Sequence, residues 1–153
     1  MDYLIDTGIL LRLFDNSDLL CPAIRQSLRH LRRKGHRFFV TQQNIAEFWN
    51  VSTRPQSSRG GFGQSISVTA RRIAFIEGIT RILTESEQSF TVWKNLVFEH
   101  GIRGSSVHDA RLVAVMKATG IPTIVTLDLD DFFRFTEITA KGPTELLALP
   151  ASE

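Results

Sequence analysis

Ser106-Val107-His108-Asp109-Ala110-Arg111, an apolar run to Ala118, Gly120-Ile121-Pro122 and then Thr123-Ile124-Val125-Thr126-Leu127-Asp128-Leu129-Asp130-Asp131-Phe132 form the stretch that decides the fold. It reads as a complete helix followed by a strand, with carboxylates at both ends. Ser106 with Asp109 three positions on has capping-box spacing, in the form with the shorter acid, and Gly120 and Pro122 supply the stop. Leu112, Val113, Ala114, Val115, Met116 and Ala118 make the helix apolar on most sides, which predicts that it is largely buried. Thr123 to Leu127 is a short β-branched run, expected to be a central parallel strand because it follows a buried helix. Asp109 then lies in the first turn of a buried helix, and Asp128 directly past a strand's carboxyl end. Ordinary roles exist for both: Asp109 can complement the helix macrodipole, and Asp128 can start the turn into Asp130-Asp131-Phe132.

The same strand-then-helix grammar recurs toward the N-terminus. Tyr3-Leu4-Ile5 is a short apolar strand, Asp6-Thr7-Gly8 ends it, and Ile9, Leu10, Leu11, Leu13 and Phe14 begin a helical face, so Asp6 either caps that helix or faces the strand's carboxyl edge. Pro22 suits a first helical turn, Ile24, Leu28 and Leu31 repeat at helical spacing, and Gly35 ends the helix. Arg25, Arg29, Arg32, Arg33, Lys34 and Arg37 read as a solvated face that also complements the helix C-terminus, with phosphate contact as the alternative. Phe38 to Thr41 is the second strand and Gln42 to Val51 the helix after it. Glu47 lies there between Ala46, Phe48 and Trp49, and points either to the sheet or to solvent.

Arg54 to Gln64 is a flexible loop by composition. Its glycines are no phosphate cradle, since no strand leads in and no Lys-Ser or Lys-Thr follows; its arginines and Phe62 suit contact with a nucleic-acid strand. Ser67 or Thr69 is expected to cap a helix carrying Ala70, Ile73, Ala74 and Ile76, and Thr80 to Leu83 is a third strand. Thr84 with Glu87 has capping-box spacing ahead of a helix through Phe98 that Gly101 closes, and Phe135 to Thr139 is a last edge strand. Lys141 to Glu153 is a tail with room for a short helix.

Composition bounds the answer. The 153 residues suffice for one domain with a substantial core, and 42% hydrophobic with 22% charged residues argues against disorder. The single cysteine, Cys21, permits no internal disulfide and fits a reducing cytosol. No apolar run approaches the roughly 18 residues that span a bilayer, and no basic region precedes the apolar residues of the N-terminus, so a cytoplasmic protein without membrane attachment is expected. A net charge of +2 admits nucleic acid as a partner without requiring it.

Alternating strands and helices argue for an α/β domain with a mainly parallel sheet, in which ligands bind outside the carboxyl ends of the strands. Asp6, Glu47, Asp109 and Asp128 all map to that edge. Four carboxylates brought together repel one another, and a hard divalent cation relieves the conflict: Mg²⁺ or Mn²⁺ takes oxygen ligands and neutralises charge on a phosphodiester. No Cys/His zinc spacing and no Gly-x-Ser-x-Gly elbow competes.

Asp6-Thr7 after an N-terminal strand, Asn44-Ile45-Ala46-Glu47-Phe48, His108-Asp109-Ala110-Arg111-Leu112 and Thr126-x-Asp128-x-x-Asp131-Phe132, in that order, resemble the PIN domain family, especially the VapC-type ribonuclease toxins of toxin–antitoxin modules. The resemblance runs from Tyr3 to about Ile138. It implies a three-layer α/β/α sandwich with a central mainly parallel sheet, a nuclease domain over 1–140 with a C-terminal tail over 141–153, and a homodimer. It also implies Mg²⁺- or Mn²⁺-dependent endoribonuclease activity on an RNA substrate, and inhibition by a cognate antitoxin. Asp6, Glu47, Asp109 and Asp128 match the family's catalytic acids, with Asp6, Asp109 and Asp128 toward the metal and Thr7, Thr126 and Asp131 in support. Gly8 stands where many members carry Asn, and the fourth acid stays open among Asp128, Asp130 and Asp131, with Asp128 preferred. The rivals are a catalytically silent PIN-like RNA-binding or interaction module and, from Asp6-Thr7-Gly8, an aspartic protease, which the long helical patterns disfavour.

Overall fold

The computed structural model describes residues 1–147. In chain order it has β1 (Asp2–Ile5), α1 (Thr7–Leu13), α2 (Cys21–Arg33), β2 (Arg37–Thr41), α3 (Gln42–Thr53), α4 (Ile66–Ile79), β3 (Arg81–Leu83), α5 (Glu87–Glu99), α6 (Ser106–Thr119), β4 (Thr123–Val125), α7 (Leu129–Phe132), β5 (Thr139–Lys141) and α8 (Pro143–Leu147). The five strands make one sheet in the order β3-β2-β1-β4-β5, and every pairing is parallel, with Leu4 opposite Phe39 on one side and Ile124 on the other.

Period-two alternation along the strands feeds two cores. Tyr3, Ile5, Phe38, Val40 and Val125 pack with Ile9, Ile24, Phe48, Ile76 and Leu146, which come from α1, α2, α3, α4 and α8. Leu4, Phe39 and Ile124 point the other way, into Leu96, Leu112, Val113, Phe132 and Phe135 around α5, α6 and α7. Because both faces are covered, the inner strands β1, β2 and β4 are mostly apolar and buried, while the edge strands β3 and β5 are exposed or half-buried. The expected three-layer α/β/α sandwich is therefore present.

This order sets the position of any site. The chain leaves β1 toward β2 and β3 and returns across the sheet to β4, so the direction of winding reverses between β1 and β4, and in such sheets a crevice opens outside the carboxyl ends of those two strands. Asp6 follows β1 immediately, and Thr126 follows β4 immediately.

Several local expectations shift. The strand expected through Leu127 stops at Val125, with Thr126 N–H still donating to Lys141 O of β5. The edge strand is Thr139–Lys141 rather than Phe135 to Thr139, since Phe135 is committed to the core at 2% exposure. The capping box ahead of α5 pairs Ser86 with Ser89 instead of Thr84 with Glu87, and Ser65 rather than Ser67 or Thr69 caps α4. The packed body runs on past residue 140: Leu146 of α8 is fully buried, and Ser27 Oγ of α2 donates to Pro143 O. The rest of the expected tail, 148–153, lies outside the described residues. Among the described residues no helix is long and apolar enough to cross a membrane.

The Gly-rich segment after α3 is more constrained than its composition suggests. Phe62 N–H and Gln64 N–H return to Val51 O and Ser52 O, and Gly63 N–H reaches Arg54 O. A Cβ on Gly61 would lie 2.4 Å from Arg54 O and 2.5 Å from Pro55 O, both backbone atoms with little freedom to move. Gly61→Ala is expected to cost about 1–3 kcal/mol through overpacking, read as a lowered urea midpoint at unchanged slope.

Candidate active site

At the end of β1 the chain must turn from strand to helix, and Asp6 makes that turn. It is the N-cap of α1, its Oδ1 accepting from Thr7 N–H at 2.7 Å. The other oxygen, Oδ2, accepts from Thr126 Oγ1 at 2.7 Å, and Thr126 Oγ1 in turn accepts from Asp128 N–H at 3.0 Å. A hydroxyl has one proton, so the amide of Asp128 fixes the direction in which Thr126 donates, toward Asp6. Asp6 thus caps α1 with one oxygen and accepts from Thr126, past the end of β4, with the other.

A second relay orients Glu47. Thr7 Oγ1 donates to Glu47 Oε2 at 2.8 Å and accepts from Asn44 Nδ2 at 3.1 Å. Asn44, fully buried, closes a capping box with Thr41: its Oδ1 accepts from Thr41 N–H, while its own N–H donates to Thr41 Oγ1. Glu47 Oε1 accepts from Gln43 Nε2 at 2.9 Å, and the same Nε2 donates to His108 O at 3.2 Å, which ties α3 to the first turn of α6. Asn44→Ala removes the cap and the donor to Thr7 together, leaving buried partners unpaired. A loss of about 1–3 kcal/mol is expected, measurable as a lower melting temperature.

Asp109 reaches the same edge from α6. The capping box expected between Ser106 and Asp109 does not form, since the N-cap residue is Ser105, without a side-chain bond, but Asp109 does stand in the first turn of α6 as expected. Its carboxylate is therefore left for the crevice. Burial pushes its pKa up to about 7, with the charges of Asp131, Asp6 and Glu47 adding and Arg134 opposing. Asp6 is pushed up to about 6, again mainly by burial; its hydrogen bonds from Thr126 and Thr7 hold it down, and Glu47 and Asp128 raise it further. Asp6, Glu47, Asp109, Asp128 and Asp131 thus share one electrostatic environment.

Asp128 is exposed at the start of α7 and makes no side-chain cap. Gly8 lies opposite it: a Cβ added there would meet Arg12 Nη1 at 3.6 Å and Asp128 Oδ2 at 4.0 Å, ordinary van der Waals contact. Asp131 is the largest single charge acting on Asp109, a closer involvement than the turn support that its sequence position suggests. Sequence reasoning missed three residues: Asn44, Gln43 and Arg134. The spacing Thr41-x-x-Asn44 is a legible cap and Gln43 is one turn before Glu47; nothing local marked Arg134.

The donors are all hard carboxylate oxygens and mutually repelling, with Asp6, Glu47 and Asp109 partly buried and Asp128 and Asp131 exposed, and that set fits a Mg²⁺- or Mn²⁺-type cation rather than zinc. They are near enough to repel, yet short of ligand contact. Among the described residues the group whose ligand atoms all lie within 4.8 Å of one another is a different one: Glu99 and His100 at the end of α5 with Glu137 before β5. That group is largely exposed, and Lys117 Nζ already pairs with Glu137 at 3.1 Å. Closely spaced surface acids with a lysine among them need no ion, whereas partly buried acids held by hydroxyl relays carry an unmet charge.

The PIN domain family model matches residues 3–138. Among curated proteins none matches the chain. Solved structures share the fold at low identity. VapBC2 from Rickettsia felis, bound to a promoter DNA fragment, superposes with a TM-score of 0.69 at 16% identity, covering 93% of this chain and 98% of that one. VapBC-1 from nontypeable Haemophilus influenzae gives 0.67 at 18%, covering 94% and 99%. VapC20 from Mycobacterium tuberculosis, a sarcin-ricin-loop-cleaving toxin, gives 0.61 at 19%, covering 90% and 98%.

Proposed function

Because this chain belongs to the PIN domain family, we propose that it is a divalent-metal-dependent endoribonuclease, the toxin of a type II toxin–antitoxin module, which cleaves RNA phosphodiester bonds in the crevice between β1 and β4. The observation that carries this reading is the convergence of Asp6, Glu47 and Asp109, from three separate elements, with two of the three pushed far above the ordinary carboxylate range. Asp6, Asp109 and Asp128 would hold a Mg²⁺ or Mn²⁺ ion, which supplies the positive charge that a phosphodiester requires as it is cleaved.

The chain's own residues do the rest. Thr126 and Thr7 fix the rotamers of Asp6 and Glu47, so neither carboxylate must reorganise when substrate arrives. Gln43 holds Glu47 from its other oxygen, so each carboxylate oxygen is oriented by one donor and keeps a lone pair for a substrate or water proton. Asp131 and Arg134 act on Asp109 with opposite signs, the first raising and the second lowering its pKa. A cognate antitoxin and a homodimeric state follow from the same reading; the fold neighbours include toxins in complex with their antitoxins.

The test is cleavage of a panel of structured RNAs by purified protein with Mg²⁺, with Mn²⁺ and with EDTA. Cleavage that requires metal and stops on chelation is the expected result. Cleavage that survives EDTA, or a protein that binds no divalent ion and cuts nothing, would refute it.

A further inference from the structure

Beside the acids lies a second cleft, of about 270 Å³, between α5 and α6. Phe90 and Trp93 form one wall, stacked with ring centroids 5.9 Å apart and planes 23° from parallel. Phe90 is 59% exposed, a high value for an aromatic ring on a helix that packs on the sheet. Trp93 is anchored rather than mobile, its Nε1 donating to Val107 O at 2.9 Å. The rim is polar: Arg111 holds Glu85 through two N–H groups, with Nη2 to Oε2 at 3.0 Å, and Lys94 Nζ lies 5.7 Å from the centroid of Phe90.

The cleft and the acids are joined through His108. Its ring lines the cleft, its carbonyl accepts from the Gln43 amide that also holds Glu47, and the next residue is Asp109. The first turn of α6 therefore carries Asp109 and, on the side turned toward α5, the His108 that lines the cleft. Resting on the nuclease reading, we propose that this cleft binds an unpaired nucleobase of the RNA substrate, from a nucleotide flanking the scissile phosphate.

The chemistry favours that occupant. A base presents a π-face for Phe90 and Trp93 and a hydrogen-bonding edge, and the Glu85–Arg111 pair offers both an acceptor and spare guanidinium donors to such an edge. Lys94, over Phe90, brings positive charge to a strand that carries one negative charge per nucleotide, while the charge of Arg111 is balanced by Glu85. A paired base has its edge occupied and its faces stacked within the helix, so the cleft selects single-stranded or looped RNA.

The experiment uses the full chain carrying Asp6→Asn to prevent cleavage and Trp49→Phe to leave Trp93 as the sole tryptophan, titrated in Mg²⁺ with a mixed-sequence RNA hexamer and with the same hexamer in duplex. Saturable quenching of Trp93 by the single strand and not by the duplex is expected. Phe90→Ala should weaken hexamer binding roughly 10-fold, and Phe90→Tyr should restore it to within about twofold, because stacking and not the Phe side chain as such is what binds. In the otherwise wild-type enzyme Phe90→Ala should raise KM for a looped RNA roughly 10-fold with kcat within about twofold. Unchanged hexamer affinity, or equal quenching by the duplex, would overturn the proposal. So would a loss of binding that tracks a change in sedimentation, which would make this face a contact between copies. If the wild-type enzyme cleaves RNA while Phe90→Ala keeps its KM, the base site fails and the nuclease reading stands; if the wild type neither cleaves nor binds RNA, both fail.

Discussion

Asp6→Asn and, separately, Asp109→Asn each lower RNA cleavage by roughly 10³-fold or more, equivalent to about 4 kcal/mol of transition-state stabilisation, while the protein remains folded. Asparagine keeps the shape of Asp6 and can still accept from Thr7 N–H, so α1 retains its cap. What disappears is a negative charge in a crevice where charge is the functional quantity. The double variant should be little worse than either single one, because residues that hold one ion act as a unit and their effects do not add. Steady-state cleavage of a cleavable RNA from the panel, with circular dichroism as the folding control, decides it. Activity within tenfold of wild type in either variant would remove that residue from the site.

The second large effect is on stability, and it has a sign that few substitutions produce. In the metal-free protein the folded-state pKa of Asp6 is about 6 against 3.8 as the ordinary value, so the folded chain holds this proton more tightly than the unfolded chain. The contribution of Asp6 is therefore most favourable below pH 3.8 and is lost as pH rises through 6. By pH 7 and above the loss is on the order of 3 kcal/mol. Asp109, raised to about 7, acts in the same direction, with a magnitude reduced by its partial exposure to solvent. In EDTA at pH 8, Asp6→Asn should therefore be more stable than wild type, and the difference should vanish near pH 4. Adding Mg²⁺ at 100 times its dissociation constant should stabilise wild type by about 2.7 kcal/mol and the variant far less. Urea midpoints across pH 4–8, with EDTA and with Mg²⁺, check both arms. Parallel pH profiles for the two proteins would contradict the electrostatic account.

Much of this architecture was legible in the sequence because the physics that specifies it is local. Tyr3-Leu4-Ile5, Phe38 to Thr41 and Thr123 to Val125 are apolar runs too short for helices, and each is followed or preceded by a helical period, so a parallel sheet covered on both faces follows from pattern alone. The position of Asp6 at the carboxyl end of β1 was equally readable, whereas Asp128, expected directly past a strand, is separated from Val125, the end of β4, by Thr126 and Leu127. Cap identities were not readable: Thr84 with Glu87 and Ser86 with Ser89 are both plausible spacings, and only the backbone entering α5 chooses between them. The box at Ser106 and Asp109 failed for the same reason, since α6 starts from a helical turn at Ser105 that leaves no extended residue to cap it.

Within the site, the family resemblance marked Thr7 and Thr126 as supporting hydroxyls, but their hydrogen-bond partners escaped the sequence because they are distant in the chain. Thr126 meets Asp6 across 120 positions, and Asn44 meets Thr7 across 37. No spacing rule reaches that far. The Gly-rich segment after α3 shows the converse error: its composition is that of a free loop, but Gly61 is small because two backbone carbonyls pass over it.

A Mn²⁺ titration followed by the paramagnetic resonance of the free ion, on wild type, Asp6→Asn and the pair Glu99→Gln with Glu137→Gln, tests the central claim most directly. It sets the crevice acids against the tighter but exposed Glu99–His100–Glu137 group. Binding that weakens by at least about 10-fold in Asp6→Asn and persists in the Glu99/Glu137 variant is the predicted result. Binding that persists in Asp6→Asn and disappears in the Glu99/Glu137 variant would place the ion at the wrong end of the molecule and contradict the account.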